Sequence, residues 1–353
     1  MTRAKQKVAI LGATGAVGQT FIRLLAGHPW FEIAELLASE RSAGQRYRDV
    51  VQWHEGTLPD EIGELTLRPA EPAQASSAIA FSAMDSSVAG PIEQAFAQAG
   101  KTVLSNSKNH RMDADVPLVI PEINAGHMRL LEHQRSKRGW SGAIVTNANC
   151  SATVAAMALA PLHERFGVNR IFLTTMQAIS GAGYPGVPSA DILGNVIPYI
   201  ADEEPKIEVE LGKLLGKLEG DSIMHASFAV SAHTNRVPVE HGHTVCMSIG
   251  LDGSPDVQAA RAALEEWSGA PEVRGLPSAK HRPLAVRDEP DRPQPRRDVN
   301  TGDGMTVVVG RVREDSILDV RLVAMGHNTV RGAAGGSILN AELLVSTGAI
   351  PSA

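Results

Sequence analysis

The chain has 353 residues, 43% of them hydrophobic and 20% charged, with a net charge of −6; this is the profile of an ordinary globular protein too long for one comfortable core. The charge is spread along the chain, leaving no electrostatic footprint for nucleic acid or an anionic membrane, and no run reaches the ~18 apolar residues of a membrane helix. Two cysteines make no disulfide framework, and "MTRAKQKVAILGATGAVG" lacks the apolar core and cleavage site of a secretory leader, so a reduced, cytoplasmic protein is expected.

The first half alternates short apolar runs with helical patterns. Strands are predicted at "KVAIL" (7–11), "FEIAELLA" (31–38), "SAIAFSAM" (77–84), "KTVLS" (101–105), "PLVIP" (117–121) and "GAIVT" (142–146). Between them, "VGQTFIRLLAGH" and "VAGPIEQAFAQAG" read as helices. Strand–helix–strand order with nearly continuous apolar strands predicts a doubly wound parallel sheet of the Rossmann type, covered on both faces.

The first strand runs into "GATGAVG", which places Gly12, Gly15 and Gly18 between a strand and a helix. Glycines there permit a tight turn and close approach of a pyrophosphate, which the helix N-terminus faces with free N–H groups. About 20 residues on, an NAD site wants a carboxylate for the ribose 2′-hydroxyl. Here the stretch is "LLASERSAGQRY". Ser39 takes the expected position, with Arg41 and Ser42 close behind, and this set suits the 2′-phosphate of NADP. Glu40 would have to point away.

Near residue 150 the texture changes. The helix "SATVAAMALAPLHERF" leads into long runs of period-two alternation: "RIFLTTMQAIS", "SFAVSAHTNRVPV", "HTVCMSIGL", "MTVVVGRVRED" and "LDVRLVAM". These predict a second α+β domain with a mixed, mostly antiparallel sheet and one wet face. The segment 281–304, rich in Pro, Asp and Arg, reads as a surface loop, and "GAAGGSILNAELLVSTG" as a glycine-opened amphipathic helix.

Cys150 opens a predicted helix, where the N-terminal partial charge would lower the thiol pKa. Cysteine is also among the most buried and inert residue types, and Cys246, mid-strand between Val245 and Met247, fits that description. Cys150 has candidate partners in "NRVPVEHGHT", where Arg236, His241 and His243 gather around a turn at Gly242. An arginine can fork a carboxylate and a histidine can move a proton. No metal site is expected: the cysteines are not at ligand spacing, and the histidines form no H-x-x-x-H set.

Taken together, "GATGAVG", "ASERSAG", "SNSKNHRMDADVPLVIPEIN", "TNANCSAT", "TTMQAISGAGYPG", "IPYIADEEPK", "NRVPVEHGHT" and "HNTVRGAAGGSILNAE" resemble the aspartate-semialdehyde dehydrogenase family, in wording most like its archaeal and fungal branch. The resemblance runs nearly end to end. It implies Cys150 as the acyl-forming nucleophile, His243 as general acid/base and Gln177 as the glutamine that orients the substrate. Arg236 matches the grip on the substrate α-carboxylate, and Glu203 the contact near its amino group, although Glu204 also fits. Lys206, Arg111 and Asn149 match the phosphate contacts. Gly12, Thr14, Gly15, Ala16, Val17 and Gly18 would hold the cofactor, with Ser39, Arg41 and Ser42 at its 2′-phosphate and Ser180, Gly181 and Asn328 nearer the nicotinamide.

The implied reaction is NADPH-dependent reductive dephosphorylation of L-4-aspartyl phosphate to aspartate semialdehyde, a branch point toward lysine, methionine and threonine. Chemically, a thiolate displaces phosphate, and the resulting thioester accepts hydride. The resemblance also implies a homodimer or homotetramer. The NADP-binding domain would comprise 1–149 and 328–353, and the catalytic and dimerisation domain 150–327. Neighbouring chemistries are an N-acetyl-glutamyl phosphate reductase and a malonyl-CoA reductase. More distant readings are a thiol hydrolase or acyltransferase, and an inactive NADP-binding sensor.

Overall fold

The computed structural model describes residues 4–350, so residues 1–3 and 351–353 of the expected first domain lie outside the described residues. Seven strands form the first sheet: β1 (Gln6–Leu11), β2 (Phe31–Ala38), β3 (Arg68–Pro69), β4 (Ile79–Ser82), β5 (Thr102–Ser105), β6 (Leu118–Val119) and β7 (Ala143–Asn147). Their order is β3-β2-β1-β4-β5-β7-β6, and every pairing is parallel. The predicted strands all appear, trimmed by a few residues at most.

Alternation along each strand divides the side chains between two cores. Val8, Ile10, Phe81, Leu104 and Val145 meet Phe21 and Ile22 of the helix Ala16–Leu25, and Ile338 and Leu339 of the helix Gly335–Ser346. Ala9, Leu11, Ala80, Val103 and Ile144 meet Phe96 and Ala97 of the helix Ser86–Gln98 on the other face. Burial on both faces is why these strands read as unbroken apolar runs. The strand order reverses between β1 and β4, and in such sheets the crevice for a ligand lies beyond the carboxyl ends of the strands at that reversal.

The second sheet contains β8 (Val168–Gln177) and, after the small hairpin β9 (Lys217–Glu219) and β10 (Ser222–Met224), also β11 (Ala229–Arg236), β12 (His243–Leu251), β13 (Leu284–Val286), β14 (Val307–Glu314) and β15 (Val320–Gly326). Its order is β11-β8-β12-β15-β14-β13. The interior pairs are antiparallel, whereas both edge pairs, β8–β11 and β13–β14, are parallel. One face packs on the helices Cys150–Phe166, Glu203–Leu214 and Val257–Glu266; the other is wet, as the alternation predicted.

Two expectations fail. The segment 281–304 is no plain surface loop. It supplies the edge strand β13, and its Asp298 is fully buried, accepting from Arg292 Nε and the Gln294 N–H, both at 2.7 Å. The last helix is not amphipathic: Gly335 through Val345 are all buried, because the helix lies against β5 and β7 beneath further chain. Its one acidic side chain, Glu342, accepts from the Ser278 backbone and hydroxyl, the latter at 2.6 Å, and lies 2.9 Å from His28 Nε2.

That helix is entered through a π-helical turn, Val330–Ala334. Arg331 in the turn is 1% exposed and grips both oxygens of buried Glu122 at 2.5 and 2.6 Å. Removing one member of such a pair strands the other charge in the interior. Arg331→Ala is expected to cost about 3–5 kcal/mol of stability, read as a lower urea midpoint; a change below about 1 kcal/mol would mean that water reaches Glu122.

Candidate functional site

The loop after β1 is built around two obligatory glycines. Gly12 has φ +75°, and a Cβ there would sit 2.8 Å from the Ala83 carbonyl oxygen; a Cβ on Gly18 would sit 2.3 Å from the Gly12 carbonyl oxygen. Gly15 has room, and serves as the N-cap of the helix Ala16–Leu25, which no side chain caps. Gly15, Ala16 and Val17 line a cavity of about 530 Å³ at the reversal point, facing Ala83–Ser86 beyond β4. Thr14 and Gly18 stand behind that lining; the Thr14 carbonyl accepts from Gln19 Nε2 at 3.1 Å. Ser39, Arg41 and Ser42 form a turn beyond β2 outside the cavity, closed by the Ser42 N–H on the Ser39 carbonyl at 2.9 Å. Glu40 and Arg41 in this turn are exposed.

The far wall of the cavity carries Arg111, Asn149, Cys150, Ser180, Gly181, Lys206 and Asn328. Cys150 starts its helix directly after β7 and Asn149, whose side-chain oxygen accepts from the N–H groups of Ser151 and Ala152 at 2.9 and 3.0 Å. Gly332 of the π turn presses on the cysteine, where a Cβ would lie 2.6 Å from Cys150 Cβ. The bare backbone of one segment thus packs against the nucleophile candidate. Asn328 bridges the wall, donating to Ser180 Oγ at 2.8 Å and accepting from the Gly242 N–H at 2.9 Å.

Gln177, Glu203, Arg236 and His243 do not line this cavity. They lie behind the turn Ile179–Ala182, and a Cβ on Gly181 would come within 3.0 Å of Arg236 Nη1 and 3.1 Å of the His243 ring. Glu203 links them to the cysteine. Its Oε1 accepts from Asn149 Nδ2 at 2.8 Å and Gln177 Nε2 at 3.2 Å, and its Oε2 lies 3.5 Å from Lys206 Nζ. Glu204 faces away, accepting from the Thr234 N–H of β11. Arg236 donates to the Ala178 carbonyl at 2.8 Å, and the Ala178 N–H donates to His243 Nδ1 at 3.1 Å. That bond assigns the proton of the neutral ring to Nε2, which is buried without a protein partner.

The expected activation of the thiol by its helix start is overridden. Burial, with the nearby Glu203 carboxylate second, pushes the Cys150 thiol up to about 12, against the opposing pull of Arg111, Arg236 and the Ser151 N–H. The residue keeps a partly open surface toward the cavity, so a ligand entering there changes the penalty. Burial also drives His243 down to about 3, assisted by Arg236 and His327. At neutral pH the pair therefore rests as thiol and neutral imidazole.

Two residues escaped the sequence reading. Glu210 is 2% exposed; its Oε1 pairs with Arg111 Nη1 at 2.8 Å, and its Oε2 accepts from the Asn149 N–H at 2.6 Å. Lys213 is 1% exposed and donates to the carbonyls of Arg111, Asp113 and Val116 at 2.7–2.8 Å, while burial pulls its amine down to about 8. The signal was spacing: Glu203, Lys206, Glu210 and Lys213 recur every three or four residues, one stripe of a helix. Among the described residues no group of three His, Cys, Asp or Glu side chains is placed to hold a metal.

This geometry has close counterparts. Residues 7–131 match the model of the semialdehyde dehydrogenase NAD-binding domain, and residues 159–331 that of the semialdehyde dehydrogenase dimerisation domain. The aspartate-semialdehyde dehydrogenase of Archaeoglobus fulgidus is 47% identical over 97% of this chain and 98% of its own. That of Trichophyton rubrum is 44% identical over 98% of this chain and 99% of its own. The crystal structure of aspartate semialdehyde dehydrogenase with NADP from Candida albicans superposes with a TM-score of 0.90 at 42% identity, covering 98% of this chain and all of that one. With this identity sustained end to end, the chain belongs to the aspartate-semialdehyde dehydrogenase family.

Proposed function

We propose that this protein is an NADP-dependent aspartate-semialdehyde dehydrogenase that converts L-4-aspartyl phosphate to L-aspartate 4-semialdehyde, releasing phosphate. The observation that carries the reading is the meeting, in one cavity, of an uncapped helix start behind a glycine turn with a lone cysteine and the cations Lys108, Arg111 and Lys206. The cradle fits a dinucleotide: the loop turns tightly because a Cβ at Gly12 or Gly18 would collide with a backbone carbonyl, and the Ala16–Leu25 helix start suits a pyrophosphate. Ser39, Arg41 and Ser42 lie beyond β2, where a ribose 2′-phosphate is read. Bound NADPH supplies the hydride that reduces the enzyme-bound acyl group.

In this reading the Cys150 sulfur, after losing its proton, bonds to the acyl carbon while the carbon–oxygen bond to phosphate breaks, leaving a thioester. Reduction gives a hemithioacetal, which collapses to release the aldehyde and the sulfur. His243 offers Nε2–H to the oxygen that gains charge; taking the thiol proton at that nitrogen requires the other tautomer and loss of the Ala178 bond. Gln177 and Asn149 are both held by Glu203, which ties Gln177 to the residue that precedes the thiol. Arg236 is the fork for the substrate carboxylate, and Arg111 and Lys206 offset phosphate charge. This set favours a small phosphorylated amino acid over a coenzyme A thioester or an N-acetylated acyl phosphate.

Residues 1–149 with 328–353 serve as the cofactor domain, and 150–327 as the catalytic and dimerisation domain. The protein is cytoplasmic and a homodimer or homotetramer, for which the exposed Phe172, Leu193, Val196 and Tyr199 offer apolar surface.

The direct test runs the reaction backwards with NADP, phosphate and L-aspartate semialdehyde, following NADPH absorbance. Phosphate-dependent turnover by wild type and none by Cys150→Ala is expected; inactivity of folded, NADPH-binding wild type would refute the substrate. A second measurement follows from the raised thiol pKa. Only the thiolate reacts with iodoacetamide, so in a Cys246→Ser background alkylation of Cys150 is expected to climb about tenfold per pH unit through pH 9. A plateau below pH 8 would contradict the burial argument.

A further inference from the structure

The mechanism leaves one fully buried carboxylate at the site without a role. Glu210 touches neither cavity nor ligand space, yet each of its oxygens holds a different part of the machinery: Oε1 the Arg111 guanidinium at 2.8 Å, Oε2 the Asn149 N–H at 2.6 Å. We propose that Glu210 is the positioning residue of the phosphate subsite, fixing the Arg111 guanidinium against the backbone from which the Cys150 helix starts. This inference rests on the assignment of Arg111 to phosphate.

The geometry accounts for Arg111 group by group. Nη1 donates to Glu210, and Nη2 donates to the Asn106 carbonyl at 2.9 Å. Nε is buried without a partner, and each terminal nitrogen has a second N–H, so a guanidinium held at both ends still presents donors to an anion. Arg111 lines the cavity at 7% exposure. A free arginine samples many rotamers, and each hydrogen bond to phosphate then costs the freezing of that freedom; holding the side chain beforehand removes the cost. The loop is held too, since Lys213, one turn along the same helix, binds the carbonyls of Arg111, Asp113 and Val116. The guanidinium and its backbone are therefore referred to one rigid helix.

Only glutamate satisfies both contacts. Glutamine has the length but a single acceptor; once its oxygen serves Arg111, its NH2 faces the Asn149 N–H, donor against donor. Aspartate keeps the charge but is one methylene short of spanning the two donors.

The test measures phosphate, aspartate semialdehyde and NADP KM values in the reverse reaction for wild type, Glu210→Gln, Arg111→Lys and the double variant. A residue acting through Arg111 gives a phosphate KM raised about ten- to a hundredfold in Glu210→Gln, with the NADP KM within about twofold of wild type. The double variant should resemble Arg111→Lys alone, because the second loss has nothing left to act through. An unchanged phosphate KM in Glu210→Gln, or fully additive losses, overturns the inference. So does an equal rise in all three KM values, the mark of a general structural defect. If Glu210→Gln is not recovered folded, Glu210→Asp is read by the same constants; failure of both to fold makes Glu210 a folding residue and likewise overturns the proposal. Wild type that turns over without need of phosphate removes the premise, an outcome distinct from normal wild type with an insensitive variant.

Discussion

Every polar group of Asn149, main chain and side chain, has a hydrogen-bond partner. Its side-chain oxygen caps the Cys150 helix, its NH2 donates to Glu203, its backbone N–H donates to Glu210, and its carbonyl accepts from the Thr153 N–H and hydroxyl at 2.8 and 2.9 Å. Each polar group is buried, and each left unpaired would cost about 1–3 kcal/mol. The sequence must therefore bring two carboxylates to this point from one helix. That demand places Glu203–Leu214 against Cys150–Phe166, brings Lys206 and Arg111 into the cavity that Cys150 lines, and ties Gln177 to Asn149 through Glu203. The location of the site follows from satisfying one asparagine where a parallel sheet ends and a buried helix begins.

How much of this could be read from the chain depended on whether a neighbour in sequence or a neighbour in space set the pattern. β1, β2, β4, β5 and β7 were legible because strands buried on both faces need apolar residues at nearly every position. The glycine turn was legible because Gly12 and Gly18 are forced by contacts within a few residues or with the adjacent strand. β13 was not: three residues among prolines and charges become a strand only because β14 lies alongside. The helix Gly335–Ser346 read as amphipathic because Asn340 and Glu342 are polar, whereas their partners come from distant segments, Val119 and Ser278. Glu210 and Lys213 were overlooked for the same reason, since a charged stripe on a helix is usually solvated. The thiol was misjudged because the helix-terminal field is local, while the burial that overrides it belongs to the assembled protein.

Burial disfavours the charged form of both Cys150 and His243, so the resting site stores no thiolate–imidazolium pair. Arg111 and Arg236, each 7% exposed, are the fixed positive charges that favour loss of the thiol proton. A neutral thiol is a poor nucleophile and a poor target for oxidants. Under the proposed mechanism, the arrangement that delays attack protects the residue between turnovers, and makes the electrostatics of the occupied site, rather than of the empty protein, the quantity that sets its reactivity.

The placement of the last helix has a consequence for how the protein is made. Gly335–Ser346 completes the cover of the face of the first sheet formed by Ile10, Phe81, Leu104 and Val145, yet it is made after every described strand. When β7 has emerged, the helix Ala16–Leu25 already lies on part of that face, and the rest stays uncovered for roughly 10–40 s at synthesis rates of about 5–20 residues per second. The second sheet and the three helices packed on it are complete in the chain before that helix is made. The usual vectorial order is thereby reversed: the first sheet, whose strands are made before those of the second, is the last to close its core.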